Sequence, residues 1–224
     1  MTPLWPFGRR GRASPPEEPA TPAPVDFHSH ALGVLLRRLA ERRDPRVLDL
    51  GSAHNINLAF FGSRGVGYAV EDALRTLAPC RSAGTFDPGC AAALPDLLRF
   101  PDGTAFDAIF AWDLLDFVGA PVIRVLAERL LPWCRQGCLL YALVSRASRL
   151  PGEPGRWEIL GESRIRYIPA AHPRALPSPR YTQAALEQAM APFRVERAYL
   201  LKLGMQEYLL GLRAEGAAER PAEG

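Results

Sequence analysis

A chain of 224 residues, 48% of them apolar, with a mean hydropathy of -0.06, has the composition of one globular domain with a sizeable core; it is too short for two ordinary domains. Its 27 basic and 24 acidic residues leave a net charge of +3, which gives no electrostatic case for nucleic acid as a partner. No secretory apolar region follows Arg9, Arg10 and Arg12, and no apolar run reaches membrane-spanning length, so a cytoplasmic location without a membrane span is expected.

Residues 1–25 are rich in Pro, Ala, Arg and Glu, bury too little apolar surface to offset their ordering entropy, and read as a disordered tail. Asp26 reads as the N-cap of a helix to about Arg43, with Leu32, Leu35, Leu36 and Leu39 on one face. Pro45 breaks that helix ahead of a strand over Arg46 to Leu50. The turn Gly51-Ser52-Ala53-His54-Asn55 and a short helix to Gly62 follow, then a second strand ending Tyr68-Ala69-Val70 and delivering Glu71-Asp72. Ala73 to Arg99 is expected to hold one or two short helices around a weak strand near Ser82 to Phe86.

Phe106 to Trp112 reads as an apolar strand with Asp113 at its end, and Pro121 to Leu131 has helical spacing. Cys138 to Val144 is a continuous apolar run, as in a sheet buried on both faces. An insertion spans residues 146–180, and Thr182 then caps a helix to about Met190. Arg194 to Leu201 and Met205 to Leu212 are joined too briefly for a parallel crossover and should pair antiparallel, with Glu207 facing Arg197 or another arginine across the hairpin. Residues 214–224 read as a second polar tail. The cysteines Cys80, Cys90, Cys134 and Cys138 form no CxxC pair and have no histidine at zinc-ligand spacing, so no metal is expected.

In an open parallel sheet, ligands bind in the crevice at the carboxyl ends of the strands. Here the first apolar strand ends on Asp49, just before Gly51, and the second ends on Glu71-Asp72. A small-residue turn lets backbone N–H groups approach a ligand, and an acid at the neighbouring strand end can accept hydrogen bonds from two ribose hydroxyls. That arrangement suits an adenosine-containing cofactor.

These motifs, the strand–helix order over residues 27–213 and the passage from Phe100 to Ile109 resemble the class I S-adenosylmethionine-dependent methyltransferases. The glycine motif is degenerate, with Ala53 and Asn55 standing where the second and third glycines would be. The resemblance implies an α/β, three-layer Rossmann-like domain over residues 26–213, with a mostly parallel seven-stranded sheet and an antiparallel last strand. It implies S-adenosylmethionine as cofactor and methyl transfer to a small-molecule acceptor.

The resemblance also implies roles for particular residues. Asp49 would position the cofactor's amino-acid moiety, and Gly51, Ser52 and Ala53 would supply the close turn. Asn55 would bind the cofactor carboxylate or cap a helix; Glu71, or else Asp72, would hold the ribose; Asp87 or Asp96 would read the adenine. Asp113, Asp116 and His172 are candidates for a base, with Asp113 best placed as the catalytic residue. The 146–180 insertion would form an acceptor lid, its arginines interleaved with Trp157, Tyr167 and Tyr181. The alternative is a methyltransferase-like domain that has lost catalysis and serves as a binding or scaffolding module. A nicotinamide-dependent dehydrogenase is disfavoured, because no GxGxxG follows the first strand. Nothing in the sequence fixes the oligomeric state.

Overall fold

The structure, a computed structural model, describes residues 23–77, 81–82, 85–86, 97–170 and 175–212. Most of the expected N-terminal tail, all of the C-terminal one, and Cys80, Asp87, Cys90, Asp96 and His172 lie outside the described residues.

The chain opens with β1 (Val25–His28) and α1 (His30–Ala40). The cap of α1 is Ser29, in extended conformation, whose Oγ accepts from Leu32 N. Asp26 does not cap the helix: it lies on β1 and forms ion pairs with Arg164 and Arg166. Next come β2 (Arg46–Asp49), α2 (Asn55–Gly62), β3 (Gly67–Val70), α3 (Ala73–Leu77) and the two-residue strands β4 (Arg81–Ser82) and β5 (Thr85–Phe86). β6 (Phe106–Trp112), α4 (Ala120–Leu130) and β7 (Cys134–Ser145) carry the most apolar part of the chain. Four short strands follow, β8 (Arg149–Pro151), β9 (Arg156–Gly161), β10 (Arg164–Ile168) and β11 (Ala175–Pro177). The described chain ends with α5 (Gln183–Ala189), capped by Thr182 as expected, and the hairpin of β12 (Phe193–Leu200) and β13 (Met205–Leu212).

The central sheet has the order β12-β13-β7-β6-β2-β3. β7, β6, β2 and β3 run parallel, and β13 is antiparallel to both of its neighbours. This is an α/β fold with a mixed sheet. Six strands occupy that sheet among the described residues, against the seven expected. The physical reason lies in the segment expected to supply the missing one: β4 and β5 pair with each other as a hairpin, which satisfies their backbone groups locally.

Residues alternate across β7. Cys138, Leu140, Ala142 and Val144 face a core with α4 and α5, while Leu139, Tyr141 and Leu143 face a core with α1 and β9–β10. The sheet is thus buried on both sides, giving three layers. The third layer includes part of the insertion: β10 pairs with both β1 and β9, and Trp157, Ile159 and Ile165 are buried against Leu32, Leu35 and Phe110. Asn57 fastens it. Its Nδ2 donates to Trp157 O at 3.1 Å, and its Oδ1 accepts from Ile159 N at 2.9 Å.

Glu207 does not pair with Arg197. It points inward from β13, fully buried, with Oε1 accepting from His30 N and Ala31 N and Oε2 from Ser29 Oγ and Tyr141 Oη. A carboxylate at a helix N-terminus completes donors that the helix itself leaves open.

Candidate active site

Because β6, β2 and β3 are adjacent and parallel, their carboxyl ends lie in a row, and a cavity of about 490 Å³ opens there. The β2 end contributes Leu50, Gly51, Ser52 and His54, and the β3 end contributes Asp72, Leu74 and Arg75. From the β6 end come Trp112, Asp113, Leu114 and Phe117. The opposite wall is Glu153, Pro154, Gly155, Arg156 and Trp157, the link from β8 into β9. Among the described residues of the insertion, this part borders the cavity.

Asp49, expected to face the cofactor, faces the protein. Its carboxylate is fully buried and accepts from Gly51 N at 2.8 Å, from Trp112 Nε1 at 2.8 Å and from the Tyr68 hydroxyl. Burial pushes its pKa up, against the pull of these donors. The same contacts explain why residue 51 is glycine. A Cβ there would stand 2.9 Å from Trp112 Cδ1, closer than Cβ atoms come to such neighbours, and a tight 3.1 Å from Asp49 Oδ1. Trp112 adopts φ +48°, a strained conformation for a bulky residue, and its indole sits beneath the turn.

Of the two acids after β3, Asp72 lines the cavity and Glu71 does not. Asp72 Oδ1 accepts from Arg75 N, capping the first turn of α3, and its Oδ2 accepts from Ser52 Oγ at 2.9 Å. That hydroxyl bond ties the β3 end to the turn after β2. Glu71 turns toward Thr76, whose hydroxyl donates to it at 3.3 Å. Ala53 and Asn55 are exposed and stand outside the lining; Asn55 opens α2.

At the inner end stands Asp113, 8% exposed. Among the described residues no cation pairs with its carboxylate, and burial pushes its pKa up to about 6. The indole N–H of Trp157 pulls weakly the other way; it is itself buried and closes no well-formed hydrogen bond. Asp116 lies behind Asp113. Its Oδ2 accepts from Ser145 N at 2.8 Å, its Oδ1 is buried without a partner, and burial, reinforced by the Asp113 charge, pushes its pKa up to about 8.

Several residues that shape the site escaped sequence reasoning. Trp112 and Tyr68 looked like ordinary strand aromatics, yet each spends its polar atom on Asp49. His54, part of the turn, lines the cavity, and burial together with the Arg156 charge lowers its pKa. A polar residue in the apolar run Asn55-Ile56-Asn57-Leu58-Ala59-Phe60-Phe61 was a readable signal for Asn57; its partners, 100 and 102 residues away, were not.

No family model and no curated protein matches the sequence. Among solved structures, the chain is similar to S-adenosylmethionine-bound CalS10, an amino pentose methyltransferase from Micromonospora echinaspora, with 19% identity over 83% of this chain and 91% of that one and a TM-score of 0.44. It is also similar to the glycopeptide N-methyltransferase MtfA, with 14% identity over 83% and 96% of the two chains and a TM-score of 0.46. A third is the Burkholderia thailandensis 1,6-didemethyltoxoflavin-N1-methyltransferase, at 18% identity over 82% and 76% with a TM-score of 0.39.

Proposed function

We propose that this chain binds S-adenosylmethionine in the strand-end cavity and transfers its methyl group to a small-molecule acceptor. One observation carries the reading: Asp72 and Asp113 stand on either side of the Gly51 turn, on one cavity of about 490 Å³. That volume falls within the roughly 300–1,000 Å³ typical of small-molecule and cofactor sites. The residues present suit such a ligand. Asp72 keeps a lone pair on each oxygen for ribose hydroxyls, since among the described residues each oxygen accepts one bond. Leu74, Leu114 and Phe117 offer apolar surface for a purine, and Gly51 and Ser52 bring backbone close to the ligand. Asp113 is the proposed catalytic residue, at the buried end where water is most excluded.

When bound, the cofactor supplies an electrophilic methyl group on a sulfonium. The chain's share is to hold the two reactants in line and dry. A cytoplasmic location belongs to the same proposal, together with the free thiols of Cys134 and Cys138.

The second reading, a binding module without catalysis, is favoured by one observation: the Asp49 carboxylate has been turned to internal use. Titration calorimetry of the full chain with S-adenosylmethionine and S-adenosylhomocysteine tests the proposal. Saturable binding is expected, weakened at least tenfold by Asp72→Ala and less than threefold by Glu71→Ala. No heat at millimolar ligand would remove S-adenosylmethionine from this cavity.

A further inference from the structure

We propose that Asp113, in place of Asp49, holds the α-ammonium of the ligand's amino-acid head, with the Trp157 indole N–H donating to its α-carboxylate. The inference rests on the reading above and adds which residues recognise the end of the ligand remote from adenosine.

Saturation of Asp49 is the starting point. Its carboxylate is fully buried, already takes three donors from the chain, and is not part of the cavity wall. A ligand ammonium could reach it only by displacing Trp112 or Tyr68 from a buried charge, which exchanges one charged hydrogen bond for another and opens the core.

Position along the sheet supplies the second step. The strand ends run β3, β2, β6, and they carry Asp72, Gly51 and Asp113 respectively. An extended ligand fixed by its ribose at Asp72 and passing the close approach at Gly51 arrives at the β6 end. There the lining is buried: Trp112, Asp113 and Trp157 are 4%, 8% and 3% exposed.

Chemistry supplies the third. A zwitterionic head needs one anionic acceptor and at least one donor, side by side and shielded from water. At the β6 end a buried carboxylate and a buried indole N–H stand next to each other; the indole closes no well-formed hydrogen bond among the described residues, and its weak pull is the side-chain donor acting on the carboxylate. Buried polar groups are ordinarily paired, so a paired state supplied by a ligand accounts for both at once. Glu153, the third acid of the wall beside Asp72 and Asp113, is exposed. Asp113 therefore acts on the ligand by orienting the head, and through it the sulfonium.

The test compares two ligands that share adenosine and thioether sulfur and differ in the head. S-adenosylhomocysteine has it; 5′-methylthioadenosine lacks it. Calorimetry on the full chain is expected to give S-adenosylhomocysteine at least tenfold tighter binding. Asp113→Asn should bring it down to the level of methylthioadenosine, whose own affinity stays within twofold. Trp157→Phe, which keeps the ring and removes the N–H, should cost S-adenosylhomocysteine alone about threefold to tenfold. Equal affinity of the two ligands for the unmodified chain would overturn the proposal while leaving adenosine binding intact. So would an Asp113→Asn chain that melts normally and weakens both ligands alike or neither. Failure of the unmodified chain to bind either compound would overturn the cofactor reading itself.

Discussion

Trp112 Nε1 donates to Asp49 Oδ1 at 2.8 Å and thereby ties the end of β6 to the end of β2, directly beneath Gly51. The bond joins an acid expected to serve a ligand to an aromatic expected only to pack. It converts the strand-end acid into a structural post for the turn. Trp112→Phe removes the donor and leaves a buried carboxylate short of a partner, at an expected cost of about 1–3 kcal/mol. Urea denaturation measures it; an unchanged midpoint would mean that the bond contributes nothing to the fold.

Gly51 responds to the same neighbour. Gly51→Val places branched carbon where even a Cβ meets the indole at 2.9 Å, so the turn must move. S-adenosylhomocysteine binding should be lost in a chain that still folds. Retained affinity would show that the ligand crevice is elsewhere.

Asn57 pairs the outer edge of β9 with α2, through Trp157 O and Ile159 N. An unpaired strand edge is otherwise open to water or to another chain. Asn57→Ala should cost about 2 kcal/mol, for two lost bonds to a buried segment. Hydrogen exchange should accelerate at the Ile159 amide before that of β7. Uniform acceleration across the sheet would indicate global destabilisation and contradict a local clasp.

Much of this architecture was readable from the chain because its signals are local. Apolar runs with acids at their ends marked β2, β3 and β6, the Thr182 cap marked α5, and a short link marked the β12–β13 hairpin. What escaped depends on partners far away in sequence. β1 is four residues long and takes its meaning from β10, about 140 residues on, so Asp26 looked like a cap when it is a strand residue paired with arginines. Glu207 was conspicuous in an apolar strand, but the nearest arginine was the wrong partner, since its donors sit at the far end of the chain on Ser29, His30 and Ala31. The strand-end position of Asp49 was legible; the two aromatic donors that occupy it were not, because an indole or phenol in a strand gives no hint of where its polar atom goes.

Glu207→Gln tests that buried cap. The amide keeps the shape but loses the charge that four donors face, and one of its two head atoms can only donate. A loss of about 2 kcal/mol is expected by chemical denaturation. Glu207→Ala should cost more, since it leaves all four groups unpaired.

The two carboxyls at the β6 end make stability depend on pH in an unusual direction. Burial raises Asp113 to about 6 and Asp116 to about 8, from an ordinary value of 3.8. The folded chain therefore keeps protons that the unfolded chain has released, and the stability contributed by these groups falls as pH rises from about 4 through about 8. Among the described residues the groups facing Asp116 are Asp113, Tyr181 and the Ser145 amide, none of them a cation. Asp116→Asn, which retains an acceptor for Ser145, should stabilise the chain by several kcal/mol at pH 8 and by almost nothing at pH 4. A gain that is independent of pH would mean that Asp116 is not the titrating group.

A crystal structure of the full chain grown with S-adenosylhomocysteine decides whether the strand-end cavity is the cofactor site. The expected result is ligand density across the ends of β3, β2 and β6, with ribose hydroxyls on Asp72, the head on Asp113, and the Asp49–Trp112 bond intact. Density bound elsewhere, or a ligand ammonium seated on Asp49 with Trp112 displaced, would contradict it.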